Sequence, residues 1–295
     1  MNAEYKILIQ GFEKWLKTLE YAKSTVYAST NYLRDFFTYL HKSGITELQE
    51  INTTIIEIYH EHLQTRRNKK QAGGSLSQNY IISNINALRR FVKYLQVTGK
   101  PVFEISLKIP IEKEKFSQTI LTRAEVKVLY NVCSNDALGL RDRAMLAVYY
   151  GCGLRRNEGA SLDVSDVMLK EKLIYVQKGK GYRERYVPMS EAVKEDLENY
   201  IHVGRSSLLS CSPQIKEQAL FLSIRGKRMD GNSLIIRLKE LVKMAGLNKS
   251  IGLHTLRHSI ATHLLQSGMA LENVSRFLGH QSLESTQIYT HLTYE

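Results

Sequence analysis

Between residues 7 and 97 apolar side chains return every three or four positions in four separate runs, a rhythm that reads as helices with almost no strand signal. Ile7, Leu8, Phe12, Trp15, Leu16 and Leu19 fall on one stripe, as a helix with a single buried face requires. A second run begins near Ser24, a suitable N-cap, and carries Tyr32, Leu33, Phe36, Phe37 and Leu40 up to Gly44. A third spans residues 53–65 with Ile55, Ile56, Tyr59 and Leu63. The fourth follows Ser77, shows Ile81, Ile85, Leu88, Val92 and Leu95 on one face, and stops before Gly99. Together they predict a four-helix module.

Past Gly99 the periodicity vanishes, and two of the four prolines, Pro101 and Pro110, fall in the same stretch. We read residues 1–104 as a helical domain, 105–117 as a linker and 118–295 as a second domain. The second domain opens with Thr122 and Glu125 in the spacing of a capping box. A helix over 139–151 follows. Two strand-like runs, LIYVQ and RERYVPM, then flank the Gly-rich KGKGY as a hairpin. Helices are again expected at 190–203, 231–246, 255–267, 270–278 and 283–291. The expected fold class is mainly α with a small antiparallel β-sheet.

Charge narrows the partner. Lys and Arg total 41 against 29 Asp and Glu, a net charge of +12. Residues 1–110 hold 15 Lys and Arg with 9 Asp and Glu, so the excess is split evenly at +6 on each side of Pro110. Two separately basic bodies suit a polyanion held by both. A mean hydropathy of −0.27 and the lack of a long apolar run argue against a membrane span. The N-terminus lacks the pattern of a secretory signal, and three cysteines, Cys133, Cys152 and Cys211, give no metal-type pairing. A cytoplasmic protein is expected.

Within the first domain, Arg66, Arg67, Lys69 and Lys70 precede a Gly73-Gly74 pair, while Arg89, Arg90 and Lys93 lie on the fourth helix off its apolar stripe. They are the candidate phosphate contacts, although a charge run of this kind also suits a plain solvated loop.

Four stretches of the second domain carry candidate chemistry. In GCGLRRNEGASL, Arg155 follows Gly153 and Leu154 where the preceding helix should break, and Glu158 stands three residues on, placed to orient it. Lys180 sits between Gly179 and Gly181 in the hairpin turn. In LHTLRHSIATHLL, His254 and Arg257 are three apart and project together. His254, His258 and His263 also raise a zinc reading, but no H-E-x-x-H occurs and no Cys or carboxylate stands at ligand spacing, so no metal site is expected. In SRFLGHQSLESTQIYTHL, Gly279 closes one helix, His280 follows, and the next helix bears Tyr289. Arginines that pair with phosphate oxygens, histidine and lysine that move protons, and a tyrosine oxygen that can bond covalently suit a phosphodiester.

These motifs, in this order, resemble the tyrosine recombinases, or phage-integrase-type recombinases, and within them the two-domain Xer-like members. The resemblance rests on L-T-x-x-E at 121–125, G-L-R-x-x-E at 153–158, G-K-G at 179–181, H-x-x-R at 254–257, and L-G-H at 278–280 with a tyrosine nine residues after its histidine. It implies a core-binding domain followed by a mixed α/β catalytic domain. It also implies that Arg155 and Arg257 clamp the scissile phosphate with His280, that His254 assists proton movement, and that Lys180 protonates the leaving 5′-oxygen. Tyr289 would attack phosphorus to give a 3′-phosphotyrosyl link, with Glu158 supporting Arg155. Neither metal nor ATP is implied, and no nucleotide-binding P-loop occurs.

The function implied is site-specific recombination of double-stranded DNA with paired inverted core sites. A homotetramer, one dimer per site, would act at the nucleoid with accessory proteins. Six residues follow Tyr289, about 9 Å as helix and too short for a full helix exchanged between protomers. An additional arm-binding domain is not expected. A type IB-like topoisomerase and a non-catalytic DNA-binding regulator of the same fold are the alternatives.

Overall fold

The computed structural model describes residues 1–68, 74–107, 119–177, 184–210 and 217–279. The chain divides into two compact units, Met1–Glu114 and Lys115–Glu295.

The first unit holds the four expected helices: α1 (Ala3–Thr18), α2 (Lys23–Lys42), α3 (Thr53–Thr65) and α4 (Gln78–Val97). Three of them start on a side-chain cap, Asn2, Asn52 and Ser77 each accepting a backbone N–H from the first turn. The second does not. It begins at Lys23 with Ala22 in the N-cap position, so Ser24 lies inside the first turn, where the buried Val26 donates its N–H to Ala22 O at 2.9 Å. The stripes read from the sequence meet in an aromatic core, with Phe91 set edge-on against both Phe12 and Phe37 at 5.5 Å between ring centres. Phe103 enters the same core, and Ile105 and Leu107 pack on it.

The second unit is mainly helical and contains one small sheet. Its described elements are helices α5 (Arg123–Asn131), α6 (Ala137–Leu146), α7 (Arg156–Ser161), α8 (Glu191–Asn199), α9 (Arg205–Ser210), α10 (Gly231–Met244), α11 (Leu253–Gln266) and α12 (Leu271–Leu278), with strands β1 (Val167–Met168), β2 (Leu173–Val176) and β3 (Arg185–Pro188). The strands lie in order β1-β2-β3, all antiparallel, with Ile174 opposite Val167 on one side and Val187 on the other. The Thr122–Glu125 capping box forms as expected.

Two helices expected as single runs are interrupted. The segments 139–151 and 190–203 each pass into a π-helical turn, at Ala147–Gly151 and Tyr200–Gly204, and the second continues as α9. The wider turn keeps consecutive bulky residues on the core side, Val148, Tyr149 and Tyr200 being fully buried. Two further elements, β1 and α7, are too short for a periodic signal. The hairpin turn at 178–183 and the helix expected at 283–291 lie outside the described residues. No helix among the described residues is long and apolar enough to cross a membrane.

Candidate active site

The site is assembled where the π turn ends. Cys152 N–H reaches back to Ala147 O at 3.0 Å, and the next residue, Gly153, takes φ +60°. A Cβ there would stand 2.9 Å from Leu278 Cδ2 and 3.2 Å from Phe277 Cε1, so both the backbone angle and the close approach of α12 demand glycine. The chain leaves this turn extended at Arg155, which occupies the N-cap position of α7. The helix break expected from the sequence is therefore present, and it aims Arg155.

Glu158, one turn into α7, folds back on Arg155. Its Oε2 accepts the Arg155 backbone N–H at 2.8 Å and its Oε1 accepts Nη1 at 2.9 Å. The other Arg155 nitrogen, Nη2, donates to Gly279 O at 2.8 Å. Arg257, on α11 and only 3 % exposed, donates from Nη1 to Gly153 O at 2.5 Å and from Nη2 to Leu278 O at 2.7 Å. The two guanidiniums thus rest on consecutive carbonyls at the C-terminus of α12, an end that leaves carbonyls unpaired and carries partial negative charge. Gly279 closes that helix in the left-handed region at φ +66°. His280 is the next residue in the chain.

His254 lies one turn before Arg257 on the exposed side of α11. The surrounding protein, together with the positive charges of Arg257, Arg156 and Arg155, holds its imidazole below the ordinary range, so it is neutral at pH 7 and able to accept a proton. Burial and the neighbouring His254 and Arg257 press His258 down to about 4. His263 points elsewhere, its Nδ1 sharing a hydrogen bond of 2.8 Å with the Tyr150 hydroxyl. Among the described residues no group of three or more His, Cys, Asp or Glu side chains is placed to hold a metal ion.

One residue of this cluster has no counterpart among the candidates drawn from the sequence. Arg185, at the start of β3, donates from Nη1 and Nη2 to Glu158 Oε1 and Oε2 at 3.0 and 2.9 Å. Burial would raise the Glu158 carboxyl, but the hydrogen bonds and charge of Arg185, followed by those of Arg155, outweigh it and hold the group down at about 2. A signal for Arg185 exists. In the alternation of β3 it falls in phase with the fully buried Val187, and a charge on the core side of a strand calls for a partner.

In the first unit two of the candidate basic residues, Arg66 and Arg67, line a groove of about 770 Å³ together with Tyr27, Asn31, Arg34 and Tyr80, whereas Arg89, Arg90 and Lys93 lie outside it. Arg66 is half-buried and pairs with Asp35 at 2.6 Å. Arg67 and Lys93 are exposed. Arg89 donates to Leu107 O at 2.7 Å, fastening the end of the unit, and Arg90 reaches Ser29 Oγ at 3.5 Å. Lys69, Lys70, Lys180, His280 and Tyr289 lie outside the described residues.

Residues 119–295 match the phage integrase family. Tyrosine recombinase XerC of Oceanobacillus iheyensis is 32% identical over 298 residues, covering 98% of this chain and 93% of its own. The fold is shared with XerH site-specific recombinase bound to palindromic difH substrate (TM-score 0.70, 23% identity, 91% of this chain and 76% of that one). It is shared too with a lambda integrase tetramer bound to a Holliday junction (TM-score 0.66, 15% identity, 96% and 76%). None of these comparisons favours a topoisomerase or a regulator without activity. With Arg155 and Arg257 seated on the carbonyls of Gly279 and Leu278, and with its catalytic half and nearly its whole length matched as above, the chain belongs to the phage integrase family, as a site-specific tyrosine recombinase of the Xer type.

Proposed function

We propose that the chain exchanges strands of double-stranded DNA through a 3′-phosphotyrosyl intermediate formed by Tyr289. The observation that carries this reading is the seating of Arg155 and Arg257 on the carbonyls of Gly279 and Leu278, immediately before His280 and within a dozen residues of Tyr289. Both guanidiniums are oriented by hydrogen bonds to the fold, and a phosphate placed between them would meet donors already aimed. Negative charge grows on the phosphate oxygens as the phenolic oxygen attacks, so these donors stabilise the transition state more than the bound substrate.

The steps follow from the residues. His254, neutral at pH 7, takes up the proton displaced from Tyr289, and His280 adds a hydrogen bond to the phosphate. Lys180 gives a proton to the leaving 5′-oxygen. The P–O bond to the 5′-carbon side breaks as the P–O bond to tyrosine forms, so the ester energy is retained. A second strand's 5′-hydroxyl then reverses the step without nucleotide. Because arginines neutralise the phosphate, the step does not call on a metal ion.

We assign DNA contacts to Arg66, Arg67, Lys69, Lys70, Arg89, Arg90 and Lys93. The partner is taken to be duplex DNA with paired inverted core sites, bound by one dimer per site and two dimers per exchange. The capture of lambda integrase as a tetramer on a junction supports that stoichiometry. Accessory proteins would select among outcomes, and action at the nucleoid in the cytoplasm follows from the substrate. In domain terms, residues 1–104 bind the core site, 105–117 connect, and 118–295 carry the chemistry.

The test is a nicked suicide substrate drawn from genomic DNA that the protein traps. The wild-type protein is expected to form a covalent protein–DNA adduct that persists in EDTA, and Tyr289→Phe none. An adduct in the phenylalanine variant, or none in the wild type, would overturn the proposal.

A further inference from the structure

We infer that Arg185 is a positioning residue for the phosphate clamp: by taking up the charge of Glu158, it lets Glu158 orient Arg155 without cancelling it. The inference rests on the reading of Arg155 as a clamp for the scissile phosphate.

Glu158 has two oxygens with about four lone-pair sites between them. Four donors occupy them: the Arg155 backbone N–H and Arg185 Nη2 on Oε2, and Arg155 Nη1 with Arg185 Nη1 on Oε1. The carboxylate is saturated and only 9 % exposed, with Arg155 at 18 % and Arg185 at 12 %. Such a group is well suited to fixing a guanidinium, and it introduces a difficulty. Arg155 and Glu158 alone sum to zero charge, and a phosphate approaching that pair would meet a dipole in a site where water screens little. With Arg185 the trio carries +1. The carbonyls holding Arg257 have no net charge, so that arginine needs no such counterpart.

Geometry ties Arg185 to the rest of the site as well. Its guanidinium is pressed against the turn that ends α12, where a Cβ on Gly279 would come within 2.7 Å of Arg185 Nε. The guanidinium is held there by its two hydrogen bonds to Glu158, at 3.0 and 2.9 Å. Arg185 also begins β3, directly after the hairpin turn whose sequence contains Lys180. One side chain therefore touches the Arg155 support and the Gly279 turn, and belongs to the hairpin that carries the proton donor.

The experiment measures single-turnover cleavage of the suicide substrate, with DNA affinity and melting temperature recorded for each variant. Arg185→Ala is expected to slow cleavage about 10- to 100-fold, the scale of a misplaced or weakened catalytic group, with the Kd for DNA within about threefold of wild type. Arg185→Lys keeps the charge but not the fork, and should fall between the two. The decisive variant is Glu158→Gln combined with Arg185→Ala. An amide can still accept from Arg155 and has no charge to offset, so the double variant should cleave several-fold faster than Arg185→Ala. A merely structural arginine predicts the opposite, since the double variant dismantles more of the hydrogen-bond network. If the alanine variants melt below the assay temperature, Arg185→Gln takes their place. Wild-type speed in Arg185→Ala, or a double variant no faster than the single, would overturn this inference while leaving the phosphotyrosyl reading intact. Absence of an adduct in the wild-type protein would overturn both.

Discussion

The second unit contains the same ionic device twice, and the two copies serve different ends. At Asp142, fully buried, one carboxylate oxygen faces Arg141 and the other accepts from Arg237 Nε and Nη2 at 2.9 and 2.7 Å. At Glu158, one carboxylate joins Arg155 and Arg185. Both are acids flanked by two arginines. The difference lies in where the remaining donors go. Arg141 turns its Nη1 inward to Leu222 O, so the Asp142 triad bolts α6 to α10 and to a core segment. Arg155 sends its spare nitrogen to Gly279 O, at the turn that precedes His280. An arginine–carboxylate pair is thus a fastening in one place and, on the function proposed above, a support for chemistry in the other. The acceptor of the remaining donor decides which.

That contrast can be broken experimentally. The largest effect should come from Asp142→Ala, which leaves the buried Arg141 without its carboxylate and is expected to cost about 3–5 kcal/mol of stability. Urea unfolding would measure it, and cleavage per folded molecule should be unchanged. A loss of rate without a loss of stability would mean that the two triads are not distinct. Arg257→Ala tests the other side. It should lower the cleavage rate by about 10²- to 10³-fold, the scale of a lost transition-state donor, as read by single-turnover kinetics. Some destabilisation is expected too, because Arg257 also ties Gly153 to Leu278.

Acid titration sharpens the comparison. The Glu158 carboxyl is held at about 2 in the fold against 4.5 as its ordinary value, so the folded state binds its proton less readily than the unfolded chain does. The stability this gives is complete above about pH 4.5 and is lost as pH falls toward 2. Glu158→Gln should therefore flatten the acid limb of the stability–pH curve, and an unchanged limb would remove Glu158 from the account. The smallest effect belongs to the first unit. Arg67→Ala and Lys93→Ala change exposed cations on a finished core and should leave the melting temperature alone. Each should reduce the salt dependence of DNA binding by about 0.9 in log–log slope for every phosphate that the variant no longer neutralises. A slope that does not move in either variant would deny them that role.

The same distinction between a charge on the surface and a charge in the fold explains what is legible in the sequence. Helices of the first unit are readable because their burial is local and periodic, every third or fourth residue reporting the same core. Even there, the start of α2 differs from the expected one by a residue or two, since Ser24 resembles a cap while the burial of Val26 sets the first turn. In the second unit the motifs around Arg155, Glu158, His254 and Arg257 can be picked out because each is compact in sequence. The π turns and the two-residue strand β1 cannot, being products of packing with no period of their own.

Sequence alone settled the residue types, their order and the breaks at Gly153 and Gly279, because backbone freedom and side-chain chemistry are properties of single residues and near neighbours. Tertiary structure decided the partnerships: that Arg257 spans Gly153 and Leu278, that Arg155 reaches Gly279, and that Arg185 completes Glu158 from 27 positions away. The reason is physical. A guanidinium can satisfy its donors with any acceptor of suitable geometry, and only the packing of α7, α11, α12 and β3 brings one particular set of oxygens within reach.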